Sequence, residues 1–328
     1  MIQGHGDDRY RFQREIRADF SSNVYSHVDL EPLKAHLRAH LDVIGRYPEP
    51  EPYTLEKALA VRLGIDPAAV CVTAGSTEAI YLIAHAFAGS RSTILQPTFS
   101  EYADACRLYG ENRAAERAIF WLCNPNNPTG TVIPKEQLIQ AIEENPKTVF
   151  VIDQSYGFFT REPLLSAAEA VRYSNVIQLH SMTKRYAMPG IRLGYITASP
   201  ALIERIRAVR MPWSVNALAI EAGLYLCAHP DMALIDLPAL LTETQRLRDH
   251  LNAIPGLTAE PTQTHFFLCR LASVRASDLK QRLADDYGIL IRDASNFEGL
   301  DEHCFRIATQ TPDENDLLAD AILTFLSH

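Results

Sequence analysis

The sequence predicts an α/β fold, with a mostly parallel sheet in a large domain and a second, smaller α+β domain. Two observations lead to this prediction. From residue 70 onward, short apolar runs alternate with helical stretches, which is typical of a parallel sheet covered on both faces. After Ser214 this rhythm gives way to long helices and isolated strands. We therefore assign residues 45–235 to the large domain, and residues 1–44 and 236–328 to an N-terminal arm and the small domain.

The elements of the large domain follow one another in a regular order. Its strands are expected at six apolar runs, 70–72, 93–96, 118–123, 148–153, 176–180 and 193–196. Its helices are expected at 76–88, at 101–109, after Pro134 and after Pro200. Both prolines suit a first helical turn, where no backbone N–H is needed. Ligands of open α/β sheets bind beyond the carboxyl ends of the strands, so the functional residues should follow these runs.

The chain after Ser214 supplies the smaller domain. A long helical stretch is expected over 214–254, with one interruption near Pro230. Two strands are expected at 266–269 and 304–307, and each is followed by a helix, at 277–287 and 312–325. This mixed order favours an α+β arrangement.

The composition is that of a globular protein and narrows the choice of partners. The chain has 328 residues, 47% of them hydrophobic, and a formal net charge of −9. These values exclude disorder as the main state and disfavour a non-specific grip on nucleic-acid phosphates. No run approaches the roughly 20 apolar residues of a membrane helix, and the first residues lack the pattern of a signal peptide. We therefore expect no nucleic-acid partner, no membrane contact and a cytoplasmic location.

Neither the cysteines nor the histidines form a familiar metal motif. The six cysteines are scattered, at Cys71, Cys106, Cys123, Cys227, Cys269 and Cys304. We expect reduced and mostly buried thiols. His36 and His40 have the i, i+4 spacing of two metal ligands on a helix, but no glutamate follows His36 as an HExxH motif requires. The sequence therefore predicts no metal site.

Four positions after predicted strands carry unusual residues. Residues 73–78 place a glycine turn before a helix N-terminus, which suits an anion but is also found in plain turns. The NPNNPTG run at 124–130 forms an irregular loop fixed by two prolines. Asp153 ends an apolar strand, where a carboxylate needs a partner. Lys184 stands in a loop at the end of a strand, and by itself it could be either a functional or a simply solvated side chain.

Together these positions resemble the fold type I pyridoxal-phosphate enzymes of the class I/II aminotransferase family. The resemblance rests on Asn127 in NPNNPTG, Asp153 in DQSY and Lys184 in SMTKRYAMPGIRLGY, in this order, and it extends from Asp19 to the final helix. Within the family it is strongest to the branch of the histidinol-phosphate aminotransferases and threonine-phosphate decarboxylases. It implies a sheet of the seven-stranded type and pyridoxal 5'-phosphate as the cofactor.

The resemblance also implies a role for each residue around the cofactor ring. Lys184 matches the lysine that forms the Schiff base and later moves the proton, and Asp153 matches the carboxylate that keeps the pyridine nitrogen protonated. Asn127 and Tyr156 match the residues that hydrogen-bond the ring hydroxyl. Phe99 takes the place of a tyrosine that usually stacks on the ring.

The cofactor phosphate is implied to lie at the predicted glycine turn. Gly75, Ser76 and Thr77 match the backbone of this anion site, Ser181 supplies a hydroxyl, and Arg192 supplies a guanidinium eight residues beyond the lysine. The site would thus combine a helix N-terminus with a charge-assisted hydrogen bond.

Further matches concern the substrate and a second subunit. Arg306 matches the arginine that clamps the substrate carboxylate, while Arg292 and Asn23 resemble further substrate contacts. Tyr47 matches a tyrosine that reaches the phosphate in the neighbouring active site, which implies a homodimer. Alternatives stay open, since both arginines also suit structural ion pairs and Tyr47 also suits simple interface packing.

The match departs from the family in two places. Residues 110–117 replace a strand, loop and helix that relatives have. Residues 19–25 replace an asparagine-rich loop, and with the preceding residues 4–7 they resemble the decarboxylase start more than the aminotransferase start.

We expect an aminotransferase similar to histidinol-phosphate aminotransferase. It would transfer an amino group between a 2-oxo acid and an amine or amino acid that carries a further anionic group. Phosphate is one candidate for that anionic group. The alternative is an enzyme similar to the L-threonine-O-3-phosphate decarboxylase of cobalamin biosynthesis. The choice depends on which bond at Cα stands perpendicular to the ring, which motifs do not show. A non-catalytic sensor would need a DNA-binding segment, and we find none before the fold.

Overall fold

A computed structural model describes residues 6–110, 112, 114–232 and 235–327 of the chain. The strands within these residues are β1 (Ala18–Asp19), β2 (Val70–Thr73), β3 (Arg91–Ile94), β4 (Ala118–Cys123), β5 (Thr148–Asp153), β6 (Val176–Ser181), β7 (Gly194–Ala198), β8 (Leu257–Ala259), β9 (Phe266–Leu271), β10 (Ile289–Leu290), β11 (Arg292–Asp293) and β12 (Cys304–Ala308). The α-helices are α1 (Glu31–Ala39), α2 (Tyr53–Leu63), α3 (Gly75–Ala86), α4 (Glu101–Leu108), α5 (Lys135–Glu144), α6 (Ala167–Ala170), α7 (Met182–Arg185), α8 (Pro200–Arg207), α9 (Ala217–Ala228), α10 (Leu237–Asn252), α11 (Ala276–Arg282) and α12 (Pro312–Leu326).

The large sheet has the order β2-β7-β6-β5-β4-β3. Strands β3, β4, β5 and β6 pair in parallel, and β7 runs antiparallel to both of its neighbours. This arrangement confirms the predicted mostly parallel sheet. All six apolar runs that the sequence singled out are strands of this sheet.

The implied seven-stranded type is wrong for the described residues, in which the sheet has six strands. The reason is the short connection between α4 and β4, which spans only residues 109–117. A further parallel strand needs a crossover of a dozen or more residues, and this stretch cannot supply it. Strand β3 is therefore the edge of the sheet.

Two apolar layers hold helices against opposite faces of the large sheet. Within β5, Val149 and Val151 face the core formed with α3, α4 and α8, whereas Phe150 and Ile152 face the core formed with α5 and α6. This alternation follows from the two-residue period of side chains along a strand. Because both faces are covered, the strand ends are left as the accessible edge of the sheet.

The smaller sheet has the order β11-β12-β9-β8 and is antiparallel throughout. Its apolar core is shared with α10, α11 and α12, and also with Ala18 and Phe20 of the N-terminal segment. Strand β1 pairs in parallel with β10 in a separate two-stranded sheet, and the Ala308 N–H of β12 donates a hydrogen bond to the Phe20 carbonyl, which ties this segment to the smaller sheet. The two predicted strands of this part and the helical interruption near Pro230 are confirmed, while the domain boundaries at residues 45 and 235 stay a prediction.

In the part of the chain that the structure describes, no helix has the length and apolar character needed to cross a bilayer. The expected cytoplasmic location stays a prediction. The six cysteines are free thiols, as expected, and five of them are buried.

Candidate active site

A cavity of about 250 Å³ opens at the carboxyl ends of β4, β5 and β6, where the sequence analysis expected the functional residues. The N-terminal segment and the smaller sheet close its other side. Eleven of the predicted site residues line it, namely Ser76, Thr77, Phe99, Asn127, Asp153, Tyr156, Ser181, Lys184, Arg192, Arg292 and Arg306.

Lys184 lies in the single turn of α7, directly after β6. Its Nζ donates a hydrogen bond to the carbonyl oxygen of Ser22 at 2.7 Å. Burial, followed by the positive charges of Arg306 and Arg192, lowers the pKa of Lys184 to about 8. A useful fraction of this amine is therefore uncharged near neutral pH, as a nucleophilic lysine requires.

Asp153 is the last residue of β5 and is only 4% exposed. Its carboxylate accepts hydrogen bonds from the Tyr102 hydroxyl at 2.7 Å and from the Ser155 backbone N–H at 2.8 Å. Burial nevertheless raises the pKa of Asp153, because no cation among the described residues pairs with it. The carboxylate is thus a buried anion that a cationic group in the cavity would stabilise.

Aromatic side chains form the walls around this carboxylate. The Phe99 ring meets the Tyr102 ring edge-on, with 5.9 Å between their centroids. The ring of Tyr156 also lines the cavity and meets the Phe266 ring edge-on, and burial raises the pKa of its phenol. Asn127, which is buried as well, accepts a hydrogen bond from Arg306. The cavity thus offers aromatic side chains to the faces of a flat ring and polar side chains to its edges.

The start of α3 has the geometry of an anion site. Gly75 has φ +85°, and a Cβ at this residue would lie 2.5 Å from Nη2 of Arg192, so the guanidinium rests directly against the first helical turn. Ser76, Thr77 and Ser181 line the cavity beside it. Free N–H groups of a twelve-residue helix and a guanidinium together suit a phosphate dianion. Gly75 itself shapes this site without lining the cavity.

Two buried arginines face the cavity from the smaller sheet. Arg292 and Arg306 are direct cross-strand partners of β11 and β12, an arrangement that places like charges side by side. Desolvation lowers the pKa of Arg306 to about 10; desolvation and the charge of Arg306 lower that of Arg292 to about 9. Among the described residues, neither arginine has a carboxylate partner, and Nε of Arg306 has no hydrogen-bond acceptor.

The two guanidinium groups are held by neutral oxygens instead. Arg306 donates to Asn127 and to the Ser21 carbonyl, while Arg292 donates to the Asp293 carbonyl and, at 2.7 Å, to Asn296. Geometry therefore disfavours the structural ion pairs that the sequence analysis left open. The two uncompensated charges suit a ligand with two anionic groups.

Three predicted residues do not line the cavity. Gly75 begins α3 without lining the cavity, and Asn23 is buried next to Tyr156, so the implied substrate contact of Asn23 stays a prediction. Tyr47 is 86% exposed, with its ring 5.6 Å from that of Trp213, and lies away from this cavity. Its position leaves the implied contact to a second subunit as a prediction.

The sequence analysis missed several lining residues, above all in the N-terminal segment. Gly6, Asp7, Ser21 and Ser22 reach the cavity from a stretch without helical or strand periodicity. A Cβ at Gly6 would overlap the Ser21 carbonyl at 2.2 Å, so the segment folds closely upon itself here. The motif residues 4 and 5 lie outside the described residues. Tyr102 was missed too, although it lies in the first turn of a predicted helix that follows Phe99 closely along the chain.

Comparisons with known proteins agree with this geometry. The model of the family "Aminotransferase class I and II" matches residues 16–115 and 110–322. The chain is 30% identical to the histidinol-phosphate aminotransferase of Caldanaerobacter subterraneus over 307 residues, which is 87% of this chain and 85% of the relative. It is also 30% identical to the threonine-phosphate decarboxylase of Salmonella typhimurium over 334 residues, covering 94% and 91% of the two chains.

A solved structure is more similar still. The L-threonine-O-3-phosphate decarboxylase from Porphyromonas gingivalis superposes with a TM-score of 0.90 at 40% sequence identity, covering 94% of this chain and 99% of that one. Fold, site and sequence thus lead to one conclusion: the chain belongs to the class I and II aminotransferase family, which indicates pyridoxal phosphate as its cofactor.

Proposed function

We propose that this protein is a pyridoxal-phosphate-dependent decarboxylase of a phosphorylated α-amino acid, with L-threonine O-3-phosphate as the first substrate to test. The observation that carries the proposal is the 40% identity and TM-score of 0.90 to a decarboxylase of this substrate. The N-terminal segment supports it, because Gly6 and Asp7, from the part that resembles the decarboxylase start, line the cavity. This ranking reverses the sequence-based preference for transamination.

The residues in the cavity fit the cofactor. The N-terminus of α3 and Arg192 would hold its phosphate, and the unpaired carboxylate of Asp153 would hold a protonated ring nitrogen. Phe99 would cover one face of the ring, and Asn127 with Tyr156 would lie at its hydroxyl. When bound, the cofactor withdraws electrons from Cα of the substrate.

The remaining groups of the cavity act on the substrate. Arg306 and Arg292 would bind its two anionic groups, which relieves the repulsion between the two guanidinium groups. Decarboxylation breaks the bond between Cα and the carboxylate, releases carbon dioxide and requires a proton at Cα. Lys184, with a pKa of about 8, can hold and deliver this proton. The product would be an aminopropanol phosphate.

The test uses holoenzyme and L-threonine O-3-phosphate labelled with ¹³C in the carboxylate. We expect labelled carbon dioxide and a primary amine phosphate in equal amounts. Arg306→Gln should lose most of this activity, because it removes a buried cation that faces the substrate. Arg270→Gln is the matched control, since Arg270 pairs with Asp301 on the surface. Absence of carbon dioxide from the wild-type enzyme contradicts the proposal.

Transamination of histidinol phosphate is the second candidate. It is favoured by the 30% identity to a histidinol-phosphate aminotransferase over 87% of this chain. Excess L-glutamate without a keto-acid acceptor would then move the cofactor absorbance from the visible to the near ultraviolet. If that change occurs and O-phosphothreonine releases no carbon dioxide, transamination replaces decarboxylation as the proposed activity.

We further propose that the active unit is a homodimer in which Tyr47 reaches the neighbouring site. Tyr47 forms an exposed apolar surface with Trp213, whose ring is 5.6 Å away, and Leu41, Ile44 and Met211, close to them along the chain, are exposed as well. Such a surface favours burial against another chain. Tyr47→Phe should weaken cofactor binding if its hydroxyl reaches a phosphate, and analytical ultracentrifugation should give twice the chain mass. A monomer with unchanged cofactor affinity contradicts this proposal.

A further inference from the structure

Helices α1 and α9 bring together three side chains with metal-binding atoms, none of which lines the cavity. His36 and His40 lie one turn apart, at the end of α1, and therefore share a face. Their spacing alone does not predict a metal site, because no glutamate follows His36 as an HExxH motif requires. The structure supplies the missing carboxylate from α9, where Glu221 faces both rings.

The distances among these groups are close to those of a metal site. Nε2 of His36 is 2.6 Å from Oε1 of Glu221, and Nε2 of His40 is 4.0 Å from the same oxygen. One ligand atom from each of the three residues lies within 4.8 Å of the others. With metal–ligand bonds of about 2.0–2.1 Å, tetrahedral ligands are about 3.3 Å apart, so small side-chain rotations suffice.

The imidazole rings are already oriented for such a role. Nδ1 of His40 lies 2.7 Å from the His36 carbonyl oxygen, which can only accept, so in the neutral ring this nitrogen carries the proton and Nε2 keeps its lone pair for a metal. The His36 ring packs against the rings of His40 and Tyr225, with centroids 4.1 Å and 4.4 Å away. A backbone carbonyl behind a ligating histidine is the arrangement by which proteins usually fix a metal ligand.

The supporting helices hold the three residues at fixed positions. Leu33 of α1 packs in one apolar core with Ala219, Ala222 and Leu226 of α9. The pair of helices is thus anchored on its inner side, while the histidines and Glu221 lie on the partly exposed outer side. Binding of a cation there would therefore cost little free energy in rearrangement of the backbone.

We propose that His36, His40 and Glu221 form a site for a divalent transition-metal ion, with Zn²⁺ as the best match. Two imidazole nitrogens and one carboxylate oxygen are a donor set that Zn²⁺ accepts, and water would complete the coordination. Binding replaces the proton that His36 Nε2 now shares with Glu221, and this proton goes to solvent. The ion joins α1 to α9 and thereby anchors the helix that follows the cavity segment at Ser21 and Ser22. The proposal does not depend on the reaction catalysed.

The direct test is calorimetric titration of ZnSO₄ into chelator-treated holoenzyme that carries no affinity tag. We expect one Zn²⁺ per chain, and at least tenfold weaker binding in Glu221→Gln and His40→Ala. Glu221→Gln keeps the size of the side chain, and His40 is exposed, so both variants should fold. His229→Ala is the matched control, because its ring stacks on Tyr225 in the same cluster but is not among the proposed ligands.

A second measurement reports on the ligands themselves. Electron paramagnetic resonance of the Cu²⁺-loaded protein should show coupling to two imidazole nitrogens, reduced to one in His40→Ala. Zn²⁺ should also raise the thermal unfolding midpoint of the wild type and of His229→Ala, but not that of Glu221→Gln. The proposal is wrong if the wild type binds no Zn²⁺, or if Glu221→Gln and His40→Ala bind it as tightly as the wild type does.

Discussion

The pKa of Lys184 leads to a quantitative prediction for cofactor capture. With a pKa of about 8, about one amine in ten is uncharged at pH 7, compared with about three in ten thousand for an unperturbed lysine. Only the uncharged amine attacks an aldehyde, so capture of pyridoxal phosphate at pH 7 should be faster than an unperturbed lysine allows by a factor of up to about 300. The rate should rise about tenfold per pH unit up to pH 8 and then level off.

Arg306→Gln provides the perturbation that tests the cause. Burial makes the largest contribution to the lowered pKa of Lys184, and the charge of Arg306 makes the next largest. Removing this charge should raise the pKa of Lys184 and move the break in the profile to higher pH. Arg270→Gln, in a surface ion pair, should leave the break in place.

Stopped-flow absorbance with apoenzyme between pH 6 and about pH 10 measures this profile. The phosphate of the free cofactor titrates near pH 6 and is corrected for with a small-molecule amine. A wild-type rate that continues to rise tenfold per unit through pH 9 and beyond would refute the reasoning, because it would mean an unperturbed lysine. An unmoved break in Arg306→Gln would refute the role of the neighbouring charge.

Three further predictions concern other parts of the site and the fold. Asp153→Asn should stabilise the apoenzyme near pH 7 in urea unfolding. The pKa of Asp153 is raised in the folded state, so its contribution to stability is full below its unfolded pKa and is lost as the pH rises through its folded pKa, whereas asparagine carries no charge at any pH. Holoenzyme activity of Asp153→Asn should fall at least about a hundredfold. Equal apoenzyme stability of the two proteins at pH 7 would contradict this account. Gly75→Ala should weaken cofactor binding about tenfold or more in equilibrium dialysis, because the new Cβ would displace Arg192, whereas Gly89→Ala, with φ +73° and open space, should leave the affinity unchanged. Phe305→Ala, at a fully buried position of the smaller core, should lower the free energy of unfolding by about 3–5 kcal/mol in urea titrations, and a loss below about 1 kcal/mol would mean that this core is not tightly packed.

The large sheet was predictable from the sequence because its strands are buried on both faces. Apolar runs such as 148–153 and 118–123 have no polar alternation, and only a covered parallel sheet explains several of them in succession. The short strands β1, β8, β10 and β11 were not predicted. Two or three residues carry no periodic pattern, and pairing with distant strands, such as that of Ala18 with Ile289, decides their conformation.

The residues of the candidate site divide in the same way. Lys184, Asp153 and Arg192 stand in motifs at strand ends, so their convergence followed from the topology of the sheet. Gly6 and Ser22 reach the cavity because the N-terminal segment folds back over it, and no local pattern indicates that path. The contact between Glu221 and His36 was not predictable from the sequence, because 185 residues separate them along the chain.

The end of the six-stranded sheet at β3 has a consequence for how the protein behaves at high concentration. It leaves the outer edge of β3 without a strand partner among the described residues, and such an edge can template pairing with another molecule. Only four residues long, β3 carries the exposed Arg91 and alternates exposed with half-buried side chains. A short edge strand with an exposed charge discourages aggregation through sheet extension. The short connection between α4 and β4 therefore need not lower the solubility of the protein.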